Sequence, residues 1–310
     1  MDSSFSLSKP KSKTSKPIWQ GWLLALITTL LFSVVPPITK ALINEGLEPT
    51  TLIVTRYVLA SLLLFLTVTL TQPKRLRIDL RGLAFCVLCG FLYAGTTWTF
   101  TTALTRMSSS VTSLILAVAP LFVFLLLMLR GEKPTGRMLL RFALSFAGVY
   151  FLLGPGGRVD SLGIALVFLC CLLYAMYMVV MQWYLKDYSS QTVVLYIIIS
   201  LTFFAALNWM FQEPVLPKLS SQSWFLMGLL VVGCTYMAQL CLFGAIRILG
   251  SGQMGLMNPL EILLSLVWSA LFLADRLSLV QWLGGTLILL GMVLAVEHLG
   301  RQRKGSEFSS

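Results

Sequence analysis

Three charged side chains lie inside otherwise apolar runs of the sequence: Lys40, Arg56 and Glu261. If those runs lie in a bilayer, each charge near its centre costs at least about 2.5–3.5 kcal/mol, so each asks for a purpose. Glu261 stands in the middle of the run 252–274. Its carboxyl can stay neutral, pair with Arg56, or carry a proton during turnover; a fixed hydrogen bond or ion pair holding its helix is the plainer role. Arg56 lies about two turns into its run, and Lys40 lies one turn beyond Pro36-Pro37, where a lysine can snorkel. Either cation also suits an anionic group.

Polar and aromatic side chains gather in three other runs. One holds Tyr93, Thr97 and Trp98, the second Tyr174 and Tyr177, the third Tyr236 and Gln239; Asn258 precedes Pro259. Tyr93 and Thr97 are four apart and share a helix face; Tyr236 and Gln239, three apart, share another. Tyr and Trp offer flat apolar contact with a hydrogen-bonding tip, which fits a binding site for amphipathic solutes. The competing roles are an interfacial aromatic belt, or threonines bonded to their own helix carbonyls.

Chemistry of other kinds finds little support. His298 is the single histidine, and Glu261 has no second acid near its depth, so no catalytic set is expected. An intramembrane enzyme is the distant alternative. The six cysteines lie in apolar runs and are read as packing residues; Cys86 and Cys89 have CxxC spacing but lack further metal ligands. No metal site is expected, and with no GxxxxGK[ST] loop no nucleotide or other cofactor either.

The elements that must position these groups follow from composition. The chain has 310 residues, 57% of them hydrophobic and 11% charged. A soluble domain carries about 25% charged residues, so an ordinary soluble enzyme and a disordered chain are both excluded. A membrane helix needs about 20 apolar residues. Ten such runs can be marked, at 19–43, 49–71, 80–103, 108–129, 137–154, 160–184, 190–212, 222–246, 252–274 and 278–299. The expected fold class is therefore an all-α membrane protein of ten transmembrane helices. Residues 1–18 form a basic tail, and 300–310 form a second tail whose GSEFSS looks like a cloning remnant.

The net charge of +11 lies largely between the runs. It reads as a topology signal beside anionic lipid, and no nucleic-acid partner is expected. With the first tail in the cytoplasm, seventeen Lys and Arg fall on that side and five on the other. That split predicts both termini in the cytoplasm.

Residues 19–154 and 160–299 read as two copies of one unit. Gly21/Gly163, Thr50/Thr192, Ala103/Ala245 and Ser109/Ser251 all keep a separation of 142. Each copy holds five runs. An odd number makes the second copy enter from the opposite face, which gives an inverted-topology repeat with a site at the seam. Pro36, Pro120 and Pro259 stand away from the first turn of their runs and are expected to act as cavity-facing bends or hinges, or as fixed kinks.

The residues at two junctions carry a family pattern. Ala119-Pro120 followed by Arg130-Gly131-Glu132 stands in the first copy, and Leu260-Glu261 followed by Ala274-Asp275-Arg276 in the second, with Arg56 in the second run. Over residues 19–299 the chain resembles the EamA type of the drug/metabolite transporter superfamily. Ile262 stands where that pattern has Pro after Glu, and Ala274-Asp275 where it has Gly-Glu. The resemblance implies a metabolite carrier, often an exporter of amino acids or related compounds, with a cavity lined by spans 1, 3, 4, 6, 8 and 9.

The combined expectation is a secondary transporter working by alternating access on a small organic solute. It would be a multi-pass protein of a bacterial inner or plasma membrane, with lipid as its surroundings and a monomeric or weakly dimeric state. A sugar-phosphate or other organic-anion antiporter is the alternative, with Lys40 or Arg56 in the cavity. The expected binding residues are Tyr93, Thr97, Trp98, Tyr174, Tyr177, Tyr236, Gln239 and Asn258.

Overall fold

The computed structural model describes residues 18–71, 78–128, 160–185, 188–211, 220–249 and 257–275, together with 76, 143–144, 147–148, 151, 254, 278–280, 282–287 and 290. Among the described residues the regular structure is helical, without strands. Both tails apart from Ile18, most of the fifth expected span and much of the tenth lie outside the described residues.

Eleven α-helices and one π-helix are used below. α1 (Ile18–Ser33) and α2 (Val35–Asn44) make one broken span; α3 (Pro49–Thr71) and α4 (Leu80–Arg106) follow. A second broken span comprises α5 (Ser109–Leu116) and α6 (Ala119–Met128). Beyond it come α7 (Ser161–Tyr184), α8 (Ser190–Met210) and α9 (Ser221–Gly228). A π-helix (Leu229–Met237), α10 (Ala238–Leu249) and α11 (Asn258–Leu273) complete the set. Among the described residues six helical stretches are long and apolar enough to cross a bilayer, and Ser109–Val123 and Leu260–Leu273 are shorter apolar ones. Leu70, Phe203, Phe211 and Leu271 point outward, more than 60% exposed, which suits a lipid surround and not water.

Helix starts are set by short polar side chains. Ser108 Oγ accepts from Val111 N at 3.3 Å, Ser220 Oγ from Ser223 N at 3.1 Å, and Asp160 Oδ1 from Leu162 N at 2.8 Å. Each satisfies an amide that the helix leaves without a partner. α11 ends at Ala274, which adopts a left-handed φ of 53°.

The prolines depart from expectation. Pro36 and Pro120 are the second residues of α2 and α6, and Pro259 is the second residue of α11. The helix breaks just before the first two, at Val34 and at Ala117-Val118, and α11 begins at Asn258, one residue before Pro259. At the start of a helix a proline gives up an amide that had no partner anyway, so these residues begin half-helices and do not kink continuous ones. Glu261 is corrected with them: it occupies the first turn of α11, not the middle of a helix.

The contacts repeat with the spacing of the sequence. Packing of α1 on α10 is matched by α7 on α4, and packing of α3 on the π-helix by α8 on α4. A Cβ on Gly21 would meet Leu249 at 2.8 Å, and one on Gly163 would meet Met107 at 3.0 Å. Gly163 follows Gly21 by 142 positions (163 − 21), and Leu249 follows Met107 by the same 142 (249 − 107). The two close approaches are thus one contact made twice. The largest buried cluster joins α3, α4, α8 and the π-helix, with Tyr57, Leu64, Cys86, Ile197 and Leu230 fully enclosed.

Candidate functional site

The two helix breaks and the start of α11 converge on one cavity of about 160 Å³. Phe32 and Pro36 approach it from the α1–α2 break, Ala117 and Ala119 from the α5–α6 break, and Asn258 and Glu261 from the start of α11. α3, α4 and α7 complete the wall, so both copies of the unit contribute. Backbone freed of its helical ladder is tolerated at membrane depth where it lines such a space.

Arg56 reaches this cavity with only 7% of its surface exposed. Its Nε donates to Thr235 Oγ1 at 2.7 Å, and its guanidinium carbon lies 5.2 Å from the centre of the Tyr57 ring. Thr235 is presented by the π-helix. Its own hydroxyl donates to Leu230 O at 2.9 Å, five residues back. The wider turn of a π-helix shifts side chains relative to an α-helix, a device common at functional sites.

A tyrosine group carries the site onward. Tyr57 meets Tyr93 edge to face at 6.2 Å, and Tyr93 stacks on Tyr177 at 4.9 Å with 11° between planes. Tyr174 lies 6.0 Å from Tyr177. Gln239 Nε2 donates to the Tyr93 hydroxyl at 2.7 Å, which leaves that hydroxyl its own proton to give. Glu261 lies within electrostatic reach of Tyr174. Among the described residues, Arg106–Asp160 is the one ion pair, so Glu261 and Arg56 share the cavity without pairing.

The expected residues therefore divide. Tyr93, Thr97, Tyr174, Asn258, Arg56, Glu261 and Pro36 line the cavity. Tyr177 and Gln239 stand behind the wall, holding Tyr93. Thr97 turns its hydroxyl to its own helix, donating to Tyr93 O and Ala94 O at 3.0 Å. Tyr236 packs half-buried against the large apolar cluster instead. Trp98 does not line this cavity. It is 38% exposed and faces a separate groove of about 350 Å³ between α3, α4 and α8, beside Phe91, Phe204 and Asn208. One residue along a helix turns a side chain by about a quarter of the circumference, enough to move Trp98 off the face of Thr97. Lys40 also lies away from the cavity wall, donating to Leu104 O near the Arg106 end of α4 and interacting electrostatically with Asp275.

Sequence reasoning passed over Tyr57 and Thr235 as site residues. The implied lining gave no part to the second span, yet α3 supplies Arg56 and Tyr57. The eighth span acts from behind, through Thr235 and Gln239. The signal was present in the repeat, since Thr235 and Gln239 stand 142 positions after Tyr93 and Thr97.

From the cavity toward the Arg106 end, α5 and α11 meet through hydroxyls. Ser113 and Ser265 are 3.0 Å apart, Ser269 donates to Ser109 at 3.0 Å, and Ser110 N and Oγ donate to Asp275 Oδ2 at 3.3 and 3.2 Å. Small residues let the helix backbones approach closely there. At the same end, Arg106 Nη1 donates to Asp160 Oδ2 at 2.6 Å. That bond, with the amides at the start of α7, holds the Asp160 carboxyl below the usual carboxylate range. At the opposite end, Tyr188 donates to Asp79 Oδ1 at 2.6 Å and Tyr196 to Leu76 O at 2.6 Å. The Tyr188 bond holds the Asp79 carboxyl low and pushes the Tyr188 phenol up. Among the described residues no group of three or more His, Cys, Asp or Glu side chains is placed to hold a metal ion.

A bundle of apolar helices with a largely apolar cavity between two related halves, into which Arg56 and Glu261 reach, has the architecture of a membrane transporter. The model of the EamA-like transporter family matches this chain twice, over residues 19–154 and 161–296. The chain belongs to that family and is an EamA-type transporter of the drug/metabolite transporter superfamily, built of two EamA repeats. No curated protein sequence matches it. A solved chain described only as "Crystal structure of protein" is similar over 92% of this chain and 99% of its own, with a TM-score of 0.66 and 18% identity. That likeness speaks to the fold alone.

Proposed function

We propose that this chain is a secondary carrier that moves a small organic solute by alternating access. The solute is an amino acid or a related amphipathic metabolite, and the direction is export. The observation that carries this reading is the cavity at the seam, lined by both repeats and reached by two broken helices and the start of α11. In this reading the repeats are inverted, five helices each, with both termini in the cytoplasm. The paired contacts of Gly21 with Leu249 and Gly163 with Met107 support a twofold relation between them. One fold set in two orientations supplies two states of similar energy, open to opposite faces.

Export by alternating access requires that the hydroxyl contacts between α5 and α11 separate when the Arg106 end opens. The contacts are short side chains bonded to one another, which exchange partners with water at little cost. The unpaired Glu261 carboxyl gives a means of coupling, because a proton and a cationic group on the solute compete for one site.

The test is counterflow in proteoliposomes. Purified protein preloaded with unlabelled amino acids should draw in labelled solute transiently, with a rate that saturates. Linear uptake without an overshoot would point to a channel. The organic-anion antiporter is the second reading, favoured by Arg56 in the cavity. It predicts counterflow of sugar phosphates, lost on Arg56→Ala.

A further inference from the structure

Arg56 and Glu261 line this cavity without pairing with each other. Arg56 has spent one N–H, on Thr235, and its flat face on Tyr57. A guanidinium carries five N–H donors in a fixed fork. Among the described residues no acceptor engages the other four, on Nη1 and Nη2. Glu261 accepts no hydrogen bond from any described group either. Among the described residues the fully enclosed side-chain atoms without partners are Thr39 Oγ1, Thr50 Oγ1 and Ser189 Oγ, all elsewhere. The open ends of Arg56 and Glu261 therefore face the free space of the cavity.

Resting on the carrier reading above, we propose that the cavity is a receptor for a zwitterion, with Arg56 taking the solute's carboxylate and Glu261 its ammonium group. A buried charge left without a partner is costly, and the cost returns when a ligand of opposite sign arrives. An anion alone would satisfy Arg56 and leave the Glu261 carboxyl without a partner. A cation would do the reverse. A zwitterion satisfies both at once, and its own charges cancel as it leaves water.

The geometry suits this division of labour. Thr235 and Tyr57 fix the guanidinium on one edge and one face, so the remaining edge is presented in a single orientation. An ordered fork accepts a carboxylate by two parallel hydrogen bonds. Glu261 comes from the start of α11, in the other repeat, so the two ends of the solute would be gripped by different halves. The rest of the wall includes Phe32, Phe100, Leu116 and Ile262, which give an apolar side chain its place. The cavity, of about 160 Å³, has room for a small organic solute.

The experiment uses the purified full chain and three charge forms of the same skeleton. Leucine, threonine and phenylalanine are each compared with the N-acetyl anion and the methyl-ester cation, by thermal shift and by competition for labelled counterflow. At least one free amino acid should bind, and its two derivatives should bind at least tenfold more weakly. Glu261→Gln should weaken the free amino acid at least tenfold and erase its advantage over the N-acetyl form. Arg56→Gln should do the same with respect to the ester, and Arg56→Lys, which keeps charge without the fork, should fall between. Derivatives that bind as well as the free amino acid would overturn the proposal with no variant needed. Wild-type selectivity in Glu261→Gln would overturn it too. If only uncharged or phosphorylated solutes give saturable counterflow, the zwitterion site is wrong and the carrier stands. If no solute does, the carrier reading itself falls.

Discussion

Gly90 sits in the middle of α4 where it crosses α8. A Cβ placed there would lie 2.4 Å from Ser200 Cβ, 2.9 Å from Ile197 O and 2.9 Å from Leu201 N. Carbon atoms pack best at about 3.5–4.0 Å, so the first contact is short by more than an ångström. Two of the three atoms belong to the α8 backbone and cannot turn away as a side chain would. Gly90→Ala must therefore push the two helices apart. Overpacking of this kind costs about 1–3 kcal/mol, and an unyielding backbone places this case near 3. Gly228 is the control, because a Cβ there meets nothing within 4 Å and its φ of −57° is helical. Gly228→Ala should hold or gain stability, by up to about 1 kcal/mol. Thermal unfolding in one detergent should rank Gly90→Ala well below wild type and Gly228→Ala at or above it. Adding Ser200→Gly to Gly90→Ala removes the 2.4 Å contact and leaves both 2.9 Å backbone contacts, so rescue should be partial. An unchanged midpoint for Gly90→Ala, or complete rescue by Ser200→Gly, would refute backbone approach as the reason for this glycine.

Three further outcomes are expected. Thr235→Val keeps the shape but leaves Arg56 Nε without its acceptor, a loss of about 1–3 kcal/mol in stability; a variant as stable as wild type would mean that Arg56 has another partner ready. Trp98→Ala should leave solute binding unchanged, because Trp98 faces the outer groove; a tenfold loss in affinity would put the groove on the solute's path. The folded-state pKa of Asp160 is depressed, by Arg106 first. Its contribution to stability is therefore full above the unfolded value of about 3.9 and is lost as pH falls through the folded one. Unfolding midpoints of the wild type should fall in that acid range with a component that Asp160→Asn lacks; equal acid slopes in both would remove this contact from the account.

Local sequence reached far in this chain wherever one force dominated. The apolar run 49–71 is the helix Pro49–Thr71, and 160–184 is Ser161–Tyr184 with Asp160 as its cap. Burial of apolar side chains in lipid leaves a twenty-residue run no other structure. The register of 142 was equally legible, since Gly21 and Gly163 meet Leu249 and Met107 in the same way.

Direction and depth were less legible. Proline in an apolar run gave notice of a break at Pro36, Pro120 and Pro259, but not on which side of the proline the helix would resume. The eighth span gave no notice of its π-helix, because nothing in Leu229–Met237 differs in composition from an α-helical run. Trp98 and Thr97 are adjacent in sequence and face different cavities, a difference set by the packing of α4 on α7 and α8.

What the amino-acid sequence determined alone was the set of apolar helices, their duplication and the presence of three charges among them, because hydrophobic run length and repeat spacing are properties of the chain itself. What the tertiary structure decided was which charges meet. Arg56 and Glu261 are 205 positions apart (261 − 56) and belong to different repeats. Only the crossing of α3 with the π-helix, and the start of α11 at Asn258, bring them to one cavity while Lys40 is left near the Arg106 end of α4. Long-range packing chooses among faces that every helix offers equally, and no local pattern records that choice.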